Sequence, residues 1–452
     1  MYKIILAIRY LVRRRISYFS VAATALCVFV VFVVVTVLSG LTAEFKRNMH
    51  RAVGDCVVSS KSMVGFGYYG EFIKLLETVG FVEAVVPVIK SYAIVDYQYG
   101  GRQQSDRGVE IMGVEPAAHS CVTSFGDWLQ YYKGNVDDVF VPPYDPNLVG
   151  CVPGVAILFD RDSEGGYQIA EELPRVKFEV SSFPLTARGA LAKAGAGEVN
   201  TKTFYCSDVA HSGLARADGN RIYLPFKDAQ MLCGMGTGRR RVNGIHIKFK
   251  PDVRLDTGRD RIAGLWREFV AGKAGAPGAN LLENVRVQTW KTYSRVFVAA
   301  VETEQTMMIV IFGMIGIITV FVVFVVFYMI VSHKSKDIGI LKSVGVSRGG
   351  VLVLFLGFAF LVGVIGSAIG AVGGWQFLVH INQIEDWLFE HFEFQLWDRR
   401  LYAIGDIPNA IDLKVLAGIM LSAIFACFVG AAVPSWQAAR CEPVDTLQVS
   451  QL

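Results

Sequence analysis

The sequence predicts an α-helical four-span membrane domain plus a large mixed α+β extracytoplasmic domain inserted between spans 1 and 2. Three observations predict it. Four long stretches carry no charge, basic and acidic residues are distributed unevenly around them, and helical and strand periodicities alternate in the long segment between the first two.

The charge-free stretches are residues 16–41, 307–331, 351–379 and 415–436, in a chain of 452 residues that is 53% apolar. A helix rises about 1.5 Å per residue and the hydrocarbon core is roughly 30 Å thick, so each stretch can cross it. The apolar core of the first exceeds that of a cleaved signal peptide, and no small-x-small cleavage site follows, so it reads as a retained anchor. Basic residues near the spans set the orientation. Lys3, Arg9, Arg13, Arg14 and Arg15 precede the first span, where residues 1–15 read as a cytoplasmic basic amphipathic helix. Residues 332–350 add Lys334, Lys336, Lys342 and Arg348 against Asp337. Residues 380–414 are acidic, with Glu385, Asp386, Glu390, Glu393, Asp398, Asp406 and Asp412 against Arg399, Arg400 and Lys414. Both termini, including the tail 437–452, are therefore expected in the cytoplasm, and residues 42–306 and 380–414 outside. The net charge of +4 follows this topology and gives no reason to expect nucleic acid.

The external segment is long enough for one large or two small domains. Phe72, Leu75, Leu76 and Val79 keep the spacing of an amphipathic helix, as do Ile262, Leu265, Trp266 and Phe269. Alternation puts Ile245, Ile247 and Phe249 on one strand face, and "VEIMGV" and "NRIYLPF" also read as strands. A helix at 259–271 between strands at 243–250 and 285–290 makes a β-α-β arrangement. The Gly- and Ala-rich stretch 188–200 reads as a loop or hairpin tip. Without Pro or Gly between 291 and 312, one helix from about Lys291 to Val331 would form a stalk, the alternative being a break near 302–305. Of the eight cysteines, Cys56, Cys121, Cys151, Cys206 and Cys233 are external; an odd number without CxxC assigns no disulfide.

Enzyme signatures are missing. No GxxxxGK[ST] phosphate loop and no HExxH occur, no metal site is indicated, and the charge-free runs hold no ionisable pair for intramembrane catalysis. "GVSRG" at 345–349 fits the GxSxG elbow formally, but it sits in a short loop between spans, outside the strand-turn-helix context that motif needs. In the third span Gly366, Gly370 and Gly374 recur every four residues beside Ala359, Gly363, Ser367 and Ala371. Such stripes admit close helix packing, within the bundle or across a dimer seam.

The most informative stretch is "SHKSKDIGILKSVGVSR", 332–348. Ile338, Leu341 and Gly345 share one helical face, with Lys336, Asp337 and Lys342 around it. Such a helix docks into a cleft on another protein or lies on the anionic inner leaflet. The stretch resembles the coupling loop of FtsX-like ABC-transporter permeases, and most closely the LolC/LolE lipoprotein-releasing family. "LAIRYLVRRRISYFS", "IMGVEP", "SGLARADGNRIYLPFKDAQMLCG", "VETEQTMMIVIF", "LYAIGDIPNAIDLKVL" and "VPSWQAARCEPVDTL" resemble further family elements in order. Gln305 stands where the family has Lys, and Val433 where it has Tyr.

The resemblance implies a permease of the bacterial inner membrane that extracts lipoproteins from the outer leaflet for delivery towards the outer membrane. A separate LolD-like ATPase dimer would hold ATP and Mg, with no cofactor bound by this chain. It would grip Lys336, Asp337, Ile338, Ile340, Leu341, Lys342, Gly345 and Arg348, and its closure would move the external domain. Further implied partners are a second permease copy or paralogue, membrane lipid and a LolA-like carrier. Val37, Leu41, Met308 and Phe312 are the residues expected to line the substrate cavity. Pro184, Leu185 and Arg188, in the segment where a LolC-type hook would lie, are those expected to meet the carrier. Two other readings remain: an FtsX-type regulator of a cell-wall hydrolase or a MacB-like exporter of another amphiphile, and a non-transport membrane receptor.

Overall fold

The computed structural model describes residues 15–132, 136–160, 167–183, 199–236, 238–333, 335–392 and 407–440. The expected basic helix before residue 15 and the tail beyond residue 440 lie outside them. In chain order the elements used below are α1 (Arg15–Val53), β1 (Cys56–Ser60), α2 (Tyr69–Glu77), β2 (Val82–Tyr99), β3 (Arg102–Val114), α3 (Pro116–Val122), β4 (Gly150–Pro153), β5 (Lys177–Ser182), β6 (Asn200–Cys206), β7 (Arg221–Pro225), α4 (Phe226–Leu232), β8 (Gly244–Phe249), α5 (Leu255–Gly272), β9 (Val285–Thr289), α6 (Arg295–His333), α7 (Ser335–Ser343), α8 (Arg348–Val379), α9 (Ile381–Phe392) and α10 (Leu413–Arg440). They form two units. One comprises Met1–Ala43, Ala300–Trp397 and Asp406–Leu452, and the other Glu44–Ala299 with Asp398–Gly405.

Among the described residues, four helices are long and apolar enough to cross a membrane, within α1, α6, α8 and α10. Their packing follows the small residues. A Cβ at Gly370 would lie 2.4 Å from the Ala25 carbonyl oxygen, and one at Gly366 2.8 Å from Thr24 Cβ. One at Gly374 would lie 2.7 Å from the Phe32 ring, so the glycine stripe of α8 is filled by α1 of the same chain. The second stripe meets α10, where a Cβ at Gly363 would approach Ile424 Cα to 3.1 Å. Gly430 of α10 in turn approaches Val320 and Val323 of α6. Of the two uses the stripes admit, packing inside the bundle is the one found. Beyond α8, Asn409 Nδ2 donates to the Leu378 carbonyl and Ile407 N–H to Asn382 Oδ1, which fastens the start of α9.

The inserted unit is mixed α+β. β1-α2-β2 and β8-α5-β9 are two split β-α-β units forming an antiparallel sheet in the order β2-β8-β1-β9, the ferredoxin-like arrangement. The predicted β-α-β at 243–290 is the second of these. Phe72 of α2 and Trp266 of α5 meet edge to face at 4.7 Å, beside Phe66 and Phe269. Gly258 lets α5 approach this sheet, because a Cβ there would lie 2.5 Å from the Phe249 ring. β2 is long enough to serve two sheets. Val82–Val88 pair with β8, while Ile89–Tyr99 pair with β3 and Ala93–Tyr97 with β5. The pairings β2-β3-β7-β4-β6-β5-β2 then close a six-stranded ring, filled by Val95, Ile111, Phe178, Phe204 and Ile222 among others.

Two expectations shift. α1 continues twelve residues beyond the charge-free run, to Val53. The stalk helix is interrupted at Ser294 (φ −89°, ψ 13°), between the single turn Trp290–Tyr293 and α6, with no break at 302–305. The Ser294→Trp290 and Val298→Ser294 backbone hydrogen bonds bridge the interruption. Cys56, Cys151, Cys206 and Cys233 are buried, Cys121 is exposed, and none is bonded to another.

Candidate functional site

The site begins with how the chain turns between the second and third spans. α7 ends because Gly345 adopts φ 100°, which a side chain would resist, while its N–H donates to the Lys342 carbonyl. Two residues later Ser347 caps α8, its hydroxyl accepting from Gly350 N–H at 3.1 Å. The serine of the "GVSRG" match is thus a helix cap. Gly345 is likewise explained by the turn it makes.

α7 is two-faced, but its faces are not those the spacing suggested. Ile338 is 2% exposed and belongs to the bundle core with Phe327, Ile330, Val351, Phe355 and Ala438. It anchors α7 to its own chain and is unavailable for a partner's cleft, which corrects the expectation for that residue. Lys342 faces the same way, its Nζ donating to the Ala439 carbonyl at 2.8 Å. That carbonyl is one of the orphans at the end of α10, and a cation there also suits the helix dipole. Arg440 sits at the same end, its guanidinium 3.8 Å from the centre of the Trp436 ring.

The outward surface includes Ile340 (54% exposed), Val344 (80%), Gly345, Arg348 and Gly349. Val344 was not among the predicted residues. Its position just past the helix, before a glycine, hid it from a helical-face argument. The backbone of Lys336, Asp337 and Leu341 lies in α7, and their side chains lie outside the described residues. The contact with α10 was also missed, although Ala431, Ser435, Ala438 and Ala439 form a small-residue run that signals close approach.

The four expected cavity residues are half-buried. Val37 packs in a cluster with Phe32, Leu378, Ile381 and Ile407, which includes neither Met308 nor Phe312. Those two lie on α6 among exposed Met307, Ile309, Val310, Ile311 and Met314. Pro184, Leu185 and Arg188 lie outside the described residues, between the paired ends Ser182 and Asn200 of β5 and β6.

The family model for the FtsX-like permease C-terminal region matches residues 309–443, which contain α7 and all the residues it packs on in α8 and α10. Two curated proteins are similar over nearly the whole chain. The lipoprotein-releasing system transmembrane protein LolC of Neisseria meningitidis is 22% identical over 445 residues, covering 96% of this chain and 94% of its own. LolC of Xylella fastidiosa is 22% identical over 434 residues with the same coverage. Among solved structures, the periplasmic region of MacB from Actinobacillus actinomycetemcomitans is 13% identical, covers 55% of this chain and 95% of its own, and has a TM-score of 0.31. The resemblance read from the motifs therefore stands: residues 309–443 match the FtsX-like permease model, and nearly the whole chain is similar to LolC proteins.

Proposed function

We propose that this chain is the permease subunit of a transporter that extracts lipoproteins from the outer leaflet of the bacterial inner membrane. The similarity to LolC proteins over 96% of the chain carries this reading, because it spans the inserted domain as well as the bundle. Both termini and α7 lie in the cytoplasm, as the basic residues around them favour, and the inserted domain lies in the periplasm. A separate ATPase dimer, holding ATP and Mg, docks on Ile340, Val344 and Arg348. Ile338 and Lys342 tie α7 to the bundle, so a push on the outer face is passed to the spans. Extracting an acyl chain costs about 0.8 kcal/mol per CH₂, which makes coupling to ATP necessary. Two permease copies, alike or paralogous, enclose the lipid, and a soluble periplasmic carrier takes the product.

The test is Ile340→Asp with Val344→Asp, in a complex reconstituted in liposomes with the ATPase and a lipoprotein. Desolvating two carboxylates against a cleft costs several kcal/mol, so co-purification of the ATPase should fall at least a hundredfold. Ile340→Val should leave it unchanged. Normal ATPase retention by the double variant would overturn the docking face. ATP turnover by the unmodified complex without lipoprotein release to a carrier would move the reading to another amphiphile or to control of a cell-wall hydrolase.

A further inference from the structure

Where the chain enters and leaves the inserted domain, two strands run side by side, with Cys56 of β1 opposite Thr289 of β9. Around this point three side chains meet. The His50 ring, near the end of α1, stacks on Trp290 at 5.1 Å with an interplanar angle of 23°. His50 Nε2 lies 2.7 Å from Asp55 Oδ1. Asp55 holds both neighbours, its Oδ2 accepting from Phe249 N–H at 2.8 Å and its carbonyl from Trp290 N–H at 3.0 Å. The buried Trp290 indole N–H has no acceptor among the described residues, where the ring is held by its face.

The last turns of α1 are built into the domain as well. Phe45, Met49, Ala52 and Val53 pack in one cluster with Tyr293, and Arg51 Nη2 pairs with Asp127 at 3.0 Å. The helix stops where Gly54, at φ 80°, donates to the His50 carbonyl. On the exit side, Trp290 starts the helical turn that the Ser294 and Val298 hydrogen bonds join to α6. The last turn of α1 and the helical turn that leads into α6 therefore meet at this aromatic contact.

We infer that His50, Asp55 and Trp290 form a clasp that makes the ends of α1 and the α6 connection move as one, so that work done on the spans reaches the domain. His50 and Trp290 are positioning residues: they touch no substrate and act by fixing the two helix ends. His50 is suited to this because its flat ring stacks while its nitrogen engages Asp55, and its side chain is 42% exposed, so it is dispensable for the core. This rests on the transporter reading above.

The experiment is hydrogen exchange of the complete permease–ATPase complex, with and without a non-hydrolysable ATP analogue. It needs no lipoprotein. The analogue should change exchange in the domain, 44–299, of the unmodified complex. In His50→Leu, which fills the space but removes both contacts, that change should shrink about tenfold, as loss of a stacked pair and of the hydrogen bond to Asp55 implies. Exchange of β8 without the analogue should stay as it was, which a merely structural role would not allow. His50→Phe, keeping the ring, should restore most of the response. A full analogue response in His50→Leu would overturn the clasp and leave the transporter reading intact. No response in the unmodified complex would overturn both.

Discussion

The second and third spans are alike in composition and opposite in packing. Both are long, apolar and free of charge, yet 44% of the apolar window of α8 is buried against 17% for α6. α8 sinks Gly363, Gly366 and Gly370 against neighbouring helices, whereas Gly313 and Gly316 of α6 meet nothing within 4 Å. Around them Met314, Ile317, Ile318, Phe321 and Val325 are exposed. Lipid tails are as apolar as leucine, so hydrophobicity cannot decide which span sits inside a bundle. Close approach decides it, and that depends on where the small residues lie. Of the two spans, α6 is the one left with the larger exposed apolar surface.

The largest effect that could break this comparison comes from adding side chains to both spans. Gly370→Val should cost about 3 kcal/mol or more, because backbone and side-chain atoms of α1 already occupy the space. Gly316→Val should stay within about 0.5 kcal/mol, having no neighbour to displace. Thermal unfolding of the purified protein in detergent reads both. An equal loss at Gly316 would mean that α6 is packed in the detergent-solubilised protein, and the second copy would be the first occupant to look for.

Much of this was legible in the sequence. Lack of charge located the spans, and the i, i+4 glycines announced a close contact without naming α1 as the partner, since spacing specifies a face and not what covers it. The β-α-β at 243–290 followed from alternation and helical spacing. The six-stranded ring did not, because β4 has four residues and β2 changes partners midway along one strand. In α7 periodicity found the helix and misjudged its orientation. Ile338 and Leu341 looked like the outward face, but Ile338 has a buried place prepared by Phe355 and Ala438, far apart in sequence.

A second effect sharpens the contrast between the spans, held by small apolar contacts, and the inserted domain. His119 and His246 are buried there, their ring centres 6.1 Å apart. Burial pushes both pKa values down, with His246 adding to the effect on His119, and Lys90 and Arg221 bringing His246 to about 3. The unfolded chain takes up these protons near pH 6.5 and the folded domain does not, so their contribution is complete above that pH and is lost as pH falls below it. Asp208 and Asp218, raised by burial, act in the opposite sense towards the carboxylate range. Glu110 adds a further loss in stronger acid: burial would raise it, but Arg221 and Lys90 hold it below its usual value. By pH 5 each of these imidazoles should cost the domain roughly 2 kcal/mol, less whatever Asp208 and Asp218 return. Protection of β8 amides, taken against the intrinsic exchange rate at each pH, should fall with acid while that of α8 does not, and His246→Phe should flatten the profile. A parallel fall in both units would show that the acid sensitivity lies elsewhere.

The smallest effect concerns the two faces of α7. Among its contacts Lys342 makes a charge-assisted hydrogen bond to the Ala439 carbonyl at a half-buried site, and losing that bond in Lys342→Met should cost about 1 kcal/mol. The loss should appear as faster exchange in the last turn of α10, up to Arg440, and not as a lost partner. Lys342→Arg should recover part of it, because a guanidinium can reach the same carbonyl but with a bulkier head. ATPase retention should stay near normal in both, in contrast to the hundredfold loss expected from Ile340→Asp with Val344→Asp. If Lys342→Met released the ATPase as readily as that double variant, Lys342 would belong to the docking face. The division of α7 into an anchored side and a presented side would then fail, because its anchor would be a contact that gives way when the partner binds.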